Sequence, residues 1–233
     1  MSAQPTPRDT ARTNLELREE ATARMVKATI ELVAEKGASR LTLAEVGRKA
    51  GYSHTLPNYY FKNKANLLSL VYANIISRFR DYMTQWTKMQ PTARRKAGLA
   101  SFLTLVQGYL EGARIDSPRA RATHVLWAES FSSTPELLDE VGRNNRETIA
   151  SITAHVRMGI ERGEIRPDVD AEALALIVIG ALRGIVSQRL IDPAGTDMDR
   201  VARTLTDLLT HGLRSTAGQA PESSVDTSAS SHT

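Results

Sequence analysis

Residues 42–64 read TLAEVGRKAGYSHTLPNYYFKNK, and this stretch predicts the fold of the N-terminal part. Thr42 followed three residues later by Glu45 is a capping box, which satisfies backbone N–H groups where a helix begins. Gly51 is expected to end that helix, because glycine adopts the positive φ of a helix C-terminus without strain. Ser53 is positioned to cap a second helix. We therefore predict two short helices around a tight turn, the geometry that places a recognition helix in the DNA major groove.

Positive charge is concentrated around the same stretch. The 233-residue chain has a formal net charge of +4. Residues 1–66 contain 11 basic and 7 acidic side chains, whereas the remainder contains 19 of each. A local cationic surface binds phosphates because it releases counterions from DNA. An ordinary solvated face would also be basic, but the coincidence of charge and helix-turn-helix pattern favours double-stranded DNA as a partner.

Composition restricts the other classes of function. The chain has no cysteine, which removes disulfides and thiolate metal sites. The N-terminus has no apolar segment of a secretory signal, and the longest apolar run, residues 173–182, is shorter than the ~20 residues of a membrane span. The five histidines have no metal-ligand spacing, and no phosphate loop or nucleophile elbow is present. We expect no catalytic, metal or cofactor site, and a soluble cytoplasmic protein associated with the nucleoid.

Hydrophobic periodicity predicts an all-α fold in two parts. The helices are expected at about residues 15–36, 43–50, 54–60, 63 to beyond 86, 93–114, 118–132, 135–163, 170–191 and 197–215. Residues 15–62 would form a three-helix DNA-binding head, and residues 63–215 a larger bundle that binds a ligand and dimerises. Residues 1–14 are expected to be a disordered arm, in which Arg8 and Arg12 are candidates for the minor groove, and residues 216–233 a disordered tail.

The head also carries a family resemblance. The residues AGYS at 50–53, YFKNK at 60–64 and LL at 67–68 resemble the DNA-binding domain of TetR/AcrR transcriptional regulators. The sequence departs from that pattern at Thr55, where a glycine is common, and at Asn58, where a tyrosine is usual. The resemblance implies a homodimer that binds a roughly palindromic operator, most often as a repressor, and a small-molecule inducer site in the C-terminal part.

Candidate DNA contacts follow from the position of each residue in the motif. N-terminal residues of a recognition helix read base edges, and flanking hydroxyl and cationic groups hold phosphates. The base-edge candidates are His54, Thr55, Leu56 and Asn58. Phosphate candidates are Thr42, Tyr52, Ser53, Tyr59 or Tyr60, Lys62 and Lys64, with Arg48 and Lys49 contributing to the cationic surface.

Two further sets of candidates lie in the C-terminal part. Aromatic and apolar side chains between bundled helices can line a pocket or fill a core. If they line a pocket, the residues expected to contact a mostly apolar inducer are Trp86, Phe102, Val106, Tyr109, Leu110, Trp127, Phe131 and Met158. The candidate polar anchors are His124, Glu129 and Asn145. An apolar helix followed by an amphipathic one can pair across a two-fold axis or lie in the chain's own core. The dimerisation candidates are Leu174, Val178, Leu182, Ile185, Val201, Leu205, Leu208 and Leu213. The alternative function is a helical adaptor or enzyme that uses the helix-turn-helix only as a scaffold.

Overall fold

The computed structural model describes residues 13–90, 98–114 and 118–215, and within these ranges the fold is helical with no β-strand. The described elements are α1 Asn14–Lys36, α2 Leu43–Lys49, α3 Leu56–Phe61, α4 Lys64–Met89, α5 Leu99–Arg114, α6 Pro118–Glu129, a 3₁₀ turn Pro135–Leu137, α7 Leu138–Glu161, α8 Ala171–Ile191 and α9 Met198–Leu213. The all-α prediction is confirmed. Three predicted segments lie outside the described residues: the N-terminal arm with Arg8 and Arg12, the first residues of the fifth helix, and the C-terminal tail.

Side-chain caps explain where most helices begin. Thr13 with Glu16 and Thr42 with Glu45 form capping boxes at α1 and α2. The side chain of Asn63 accepts a hydrogen bond from the Asn66 backbone N–H at the start of α4. Aspartates at positions 170 and 197 cap α8 and α9 in the same way. Since these caps are local interactions, the sequence predicts them well.

The start of α3 differs from the prediction. The helix begins after Thr55, and Ser53 does not cap it: its hydroxyl lies 3.2 Å from the Thr55 hydroxyl. Pro57 occupies the first turn, where a backbone N–H would have no intrahelical partner, so its missing N–H costs no hydrogen bond. The proline ring is buried against Gly47 of α2, where an added Cβ would lie 3.2 Å from the ring and 2.4 Å from the Ser53 carbonyl oxygen. Gly47 and Pro57 thus fix how closely α3 packs on α2.

Part of the C-terminal bundle shares a hydrophobic core with the head. Buried residues of α1, α2, α3 and α4 form a single cluster that continues into Ala122 and Leu126 of α6. A second cluster is built from α5, α7, α8 and α9. The unbroken α4 has 26 residues and is about 39 Å long. Two elements therefore connect the parts: α4 along its length, and α6 through its packing on α1.

An apolar face of α8 is left uncovered within the chain. Among the described helices, α8 is the one that is long and apolar enough to cross a membrane. Its most apolar stretch of 18 residues has a mean hydropathy of 1.7, and 28% of that stretch is buried within the chain. A helix at an interface between subunits passes the same test of length and composition. The exposed small and apolar residues recur at helical spacing, so they form one stripe: Ala173, Leu176, Ile177, Gly180 and Gly184.

Candidate DNA-binding surface and effector site

The turn before α3 and the outer face of α3 present the exposed polar surface of the head. His54, Thr55 and Asn58 are exposed, and Tyr59 is 80% exposed although it is aromatic. Leu56 is half-buried. Exposed polar side chains together with one exposed tyrosine are suited to contact a groove of DNA. Four of the predicted contact residues therefore share one accessible face.

Two cations beside this face are available to bind phosphate. The side chains of Arg48, at the end of α2, and Lys62, just after α3, are exposed and make no hydrogen bond or ion pair with the described part of the chain. Lys62 has a φ of 66°, which directs the chain from α3 into α4. These two residues are the strongest phosphate candidates, because neither has to break an internal contact first.

Lys49 and Lys64, two of the predicted DNA contacts, already have partners inside the head. The Lys49 ammonium lies 2.7 Å from Glu35 and 3.6 Å from Glu31 of α1, and the hydrogen bond to Glu35 raises its pKa. The Lys64 ammonium donates to the carbonyl oxygens of Ala38 (3.3 Å) and Ser39 (3.0 Å). Both lysines therefore hold the head together, and their charges are already partly used.

Three other predicted contacts also serve the internal structure of the head. The Thr42 hydroxyl bonds to Glu45, and the Tyr52 and Tyr60 rings are half-buried against the core. The Arg18 guanidinium lies 5.7 Å from the centre of the Tyr60 ring. Of the two tyrosines offered for the backbone contact, Tyr59 is the accessible one.

An ion pair sets the position of α2 on α1. The Glu45 carboxylate accepts from the Lys36 ammonium at 2.6 Å and from the Thr42 backbone N–H at 3.0 Å. The hydrogen bonds from Lys36 and then Thr42 lower the pKa of Glu45 to about 2. The carboxylate is therefore ionised throughout the physiological range, so this ion pair between α1 and α2 persists there.

In the bundle, four of the predicted effector residues converge on a residue that the sequence analysis missed, Arg183 of α8. Its guanidinium donates to Asn145 Oδ1 at 2.7 Å and lies 5.4 Å from the centre of the Trp127 ring. It also faces the phenol of Tyr109, whose pKa is raised by burial. His124 lies beside Arg183, and burial lowers the pKa of its imidazole. The sequence signal was a basic residue directly after the apolar run 173–182.

The remaining effector candidates have other surroundings. Phe102, Val106 and Leu110 are fully buried in the second core cluster, and Met158 is half-buried. The Trp86 indole N–H donates to the Thr104 carbonyl oxygen at 3.2 Å. Phe131 is exposed and packs edge-on against Trp127.

Glu129 belongs to the junction with the head and not to a pocket. Its carboxylate, at the end of α6, accepts from the backbone N–H of Ser39 at 2.8 Å. This contact joins the bundle to the loop between α1 and α2, the same loop whose carbonyls bind Lys64. The structure therefore corrects its assignment as a ligand anchor.

The predicted dimerisation residues are mostly internal. Val178, Leu182 and Leu213 are buried in the protomer's own core, which corrects their assignment to an interface. Leu174, Ile185, Val201 and Leu205 are half-buried, and Leu208 is exposed. Exposed apolar residues on α8 and α9 include the α8 stripe defined above, Ile191 at the end of α8 and Leu208 of α9. Among the described residues, no group of three His, Cys, Asp or Glu side chains could hold a metal ion.

Known proteins resemble the chain in both parts. The family model of bacterial regulatory proteins of the tetR family matches residues 25–71, and the tetracyclin repressor-like C-terminal domain matches residues 122–205. The HTH-type transcriptional regulator BetI of Cronobacter sakazakii is 27% identical over 158 residues, which are 67% of this chain and 74% of BetI.

Solved structures share the fold over most of the chain. A TetR transcriptional regulator from Chloroflexus aurantiacus has a TM-score of 0.73 and 22% identity, covering 85% of this chain and 98% of its own. A transcriptional regulator from Saccharomonospora viridis in complex with choline has a TM-score of 0.71 and 20% identity, with coverage of 84% and 98%. FadR from Bacillus subtilis in complex with stearoyl-CoA has a TM-score of 0.67 and 17% identity, with coverage of 82% and 98%. The chain belongs to the TetR family of transcriptional regulators.

Proposed function

We propose that this regulator is a homodimeric repressor that binds a roughly palindromic operator and releases it when a small, mostly apolar molecule binds in the bundle. The observation that carries the proposal is the exposed face of α3 together with the cations Arg48 and Lys62, which pair with no group among the described residues. The runner-up function, a helical adaptor or enzyme, is less favoured because both family models and BetI describe regulators. A regulator of this kind acts in the cytoplasm, on the nucleoid.

Each residue of the face has a distinct proposed role. Asn58 and His54 are placed to bond base edges, with Thr55 beside them at the start of the helix. Tyr59 contacts the sugar-phosphate backbone, because its ring is 80% exposed. Arg48 and Lys62 neutralise phosphates on either side. Residues 15–62 then act as the reading head and residues 63–215 as the effector and dimerisation part.

A second copy of the chain is the proposed partner of the α8 stripe. Small residues at Ala173, Gly180 and Gly184 allow two α8 helices to approach closely, and Leu176 and Ile177 supply apolar contact area. A two-fold axis there places the two heads on successive turns of DNA, about 34 Å apart. The palindromic operator follows from this symmetry.

The solved relatives that hold stearoyl-CoA and choline support an effector site in this fold. Such a molecule can release DNA only if it binds more tightly to a state in which the heads fit the operator poorly. Two links from the bundle to the head are available for this coupling, namely α4 and the hydrogen bond from Ser39 to Glu129.

The test compares two substitutions on the same face. Lys62→Ala should weaken binding to every DNA sequence and reduce the slope of log affinity against log salt by about one counterion. Asn58→Ala should relax the preference at one base pair of each half-site, with little change in the salt slope. Lys27, an exposed lysine on α1 away from the face, serves as the control when changed to alanine. Equal effects of the Lys62 and Lys27 changes would contradict the assigned surface.

A further inference from the structure

Arg183 is a positive charge placed inside the effector part of the protein. It is half-buried on α8, and groups from other helices surround its guanidinium: Asn145 of α7 at 2.7 Å, the Trp127 ring of α6 and the Tyr109 phenol of α5. Arginine remains protonated in proteins, so this charge is permanent. Three separate helices thus converge on one fixed cation.

The surroundings of this cation are neutral. Two more exposed arginines of the bundle have carboxylate partners: Arg80 pairs with Glu147, and Arg157 with Glu172. Arg183 pairs with no carboxylate in the described ranges of the chain, and its partners there are the Asn145 amide, the Trp127 ring and the Tyr109 phenol. A charge inside a protein is usually paired with an opposite charge, because removing it from water is otherwise costly. The bundle has therefore left the more buried arginine uncompensated.

We propose that Arg183 anchors the head group of an anionic effector with an apolar body, such as an alkyl or aryl carboxylate. This inference rests on the proposed function, since it names the ligand class of the same effector site. A carboxylate fits the planar guanidinium, whose remaining N–H groups form charge-assisted hydrogen bonds. Asn145 and Trp127 hold the guanidinium in place, and the aromatic residues around it contact the apolar body.

The same geometry selects against cationic effectors. Aromatic rings often bind quaternary ammonium groups through their faces. Here the face of Trp127 already carries the Arg183 guanidinium, 5.4 Å from the ring centre. A cationic ligand at this ring would have to displace Arg183 or lie beside a like charge. The charge of the effector is thus the property that this site distinguishes.

The experiment uses three probes with the same alkyl chain: decanoate, 1-decanol and decyltrimethylammonium. Calorimetry on the DNA-free protein measures binding of each, and fluorescence anisotropy measures release of the operator. Decanoate should bind most tightly. Arg183→Gln should weaken decanoate binding by roughly 10- to 100-fold, the usual loss for a hydrogen bond to a charged group. The conservative change Arg183→Lys, which keeps the charge but loses the planar fork, should recover part of the affinity.

Arg189 provides the matched control on the same helix. Its guanidinium donates to the Pro193 carbonyl oxygen near the end of α8, away from the cluster. Arg189→Gln should leave decanoate binding unchanged. The inference is overturned if decanoate does not bind, if the decanol or the ammonium probe binds as tightly, or if Arg183→Gln keeps wild-type affinity. Decanoate binding that depends on Arg183 without any release of DNA would instead contradict the proposed function and leave the anion site supported.

Discussion

Replacing Ile177 with arginine should split the proposed dimer while the protomer stays folded. Ile177 is 66% exposed on the outward face of α8, whereas the adjacent Val178 is 1% exposed in the protomer's own core. An arginine at position 177 lies in water in a monomer but in an apolar interface in a dimer. At position 178 the same charge is buried without a partner and should unfold the protein. The two neighbours therefore predict opposite outcomes.

The size of the effect follows from the exposed area of Ile177. Complete burial of an isoleucine side chain stabilises by about 1.5–3 kcal/mol. About two-thirds of this side chain is exposed, and two copies meet in a dimer, so its burial contributes about 2–4 kcal/mol to dimerisation. Loss of that contribution weakens the dimer by roughly 30- to 800-fold. Repulsion between the two introduced guanidinium groups adds to the loss.

Sedimentation equilibrium at micromolar concentration measures the predicted change, and circular dichroism checks the fold. The wild type should be a dimer, and Ile177→Arg a helical monomer that unfolds cooperatively. Met89→Arg is the matched control, because Met89 is 73% exposed at the end of α4, away from the α8 stripe. A stable Ile177→Arg dimer would refute the assigned interface. A folded Val178→Arg protein would refute the assignment of that residue to the core.

Three further substitutions test the head and its link to the bundle. Glu45→Gln should lower the melting temperature near neutral pH. The difference in melting temperature from the wild type should close as pH falls from about 4.5 to about 2, because the carboxylate stabilises the fold only while it is ionised. A difference that persists at pH 2 would rule out the ion pair as its cause. Gly47→Ala places a Cβ 2.4 Å from the Ser53 carbonyl oxygen. Denaturant unfolding should show a loss of about 1–3 kcal/mol in the free energy of unfolding, together with weaker operator binding. Unchanged affinity for the operator would show that the α2–α3 distance does not affect DNA binding. Glu129→Gln weakens the hydrogen bond from Ser39 at the junction between head and bundle. The ratio of operator affinities without and with effector, measured by anisotropy, should therefore fall. A ratio equal to that of the wild type would leave α4 as the connection that transmits effector binding.

The sequence predicts the helices and most of their ends because those depend on neighbouring residues. The Thr42–Glu45 capping box and the Asn63 cap form within three residues, and both were predictable. The start of α3 was also encoded locally, but by Pro57. Proline is tolerated only in the first turn, so it was a stronger signal for the helix start than the hydroxyl of Ser53.

Several of the predicted site residues make contacts that are distant in sequence. Lys64 binds carbonyls 25 and 26 residues earlier, and Lys49 pairs with an acid 14 residues earlier. No local pattern shows that these charges are already engaged. Arg183 was visible as the basic residue in an apolar helix, but its partner Asn145 lies 38 positions away. Tertiary packing decides which of the basic side chains remain available for a ligand.

The sequence does not predict which face of α8 packs inward, because that also depends on tertiary packing. A helix that is apolar on all sides has no amphipathic pattern to orient it. The stripe expected to dimerise included Val178 and Leu182, which pack against other helices of the same chain. The true outward face contains Gly180 and Gly184, whose Cα atoms have open space beyond them. Small residues on the helix mark its outward face better than large ones do.

Selection of bound fragments from genomic DNA tests the central claim most directly. The purified protein is mixed with sheared bacterial DNA at physiological salt, and the retained fragments are sequenced. A symmetric dimer reading DNA through α3 predicts enrichment of one motif with two inverted half-sites, whose centres are about 34 Å or one helical turn apart. The enrichment should disappear with Ile177→Arg, and with Asn58→Ala the motif should lose its preference at one base pair of each half-site. Retained fragments without a shared motif, or a motif without two-fold symmetry, would contradict the account.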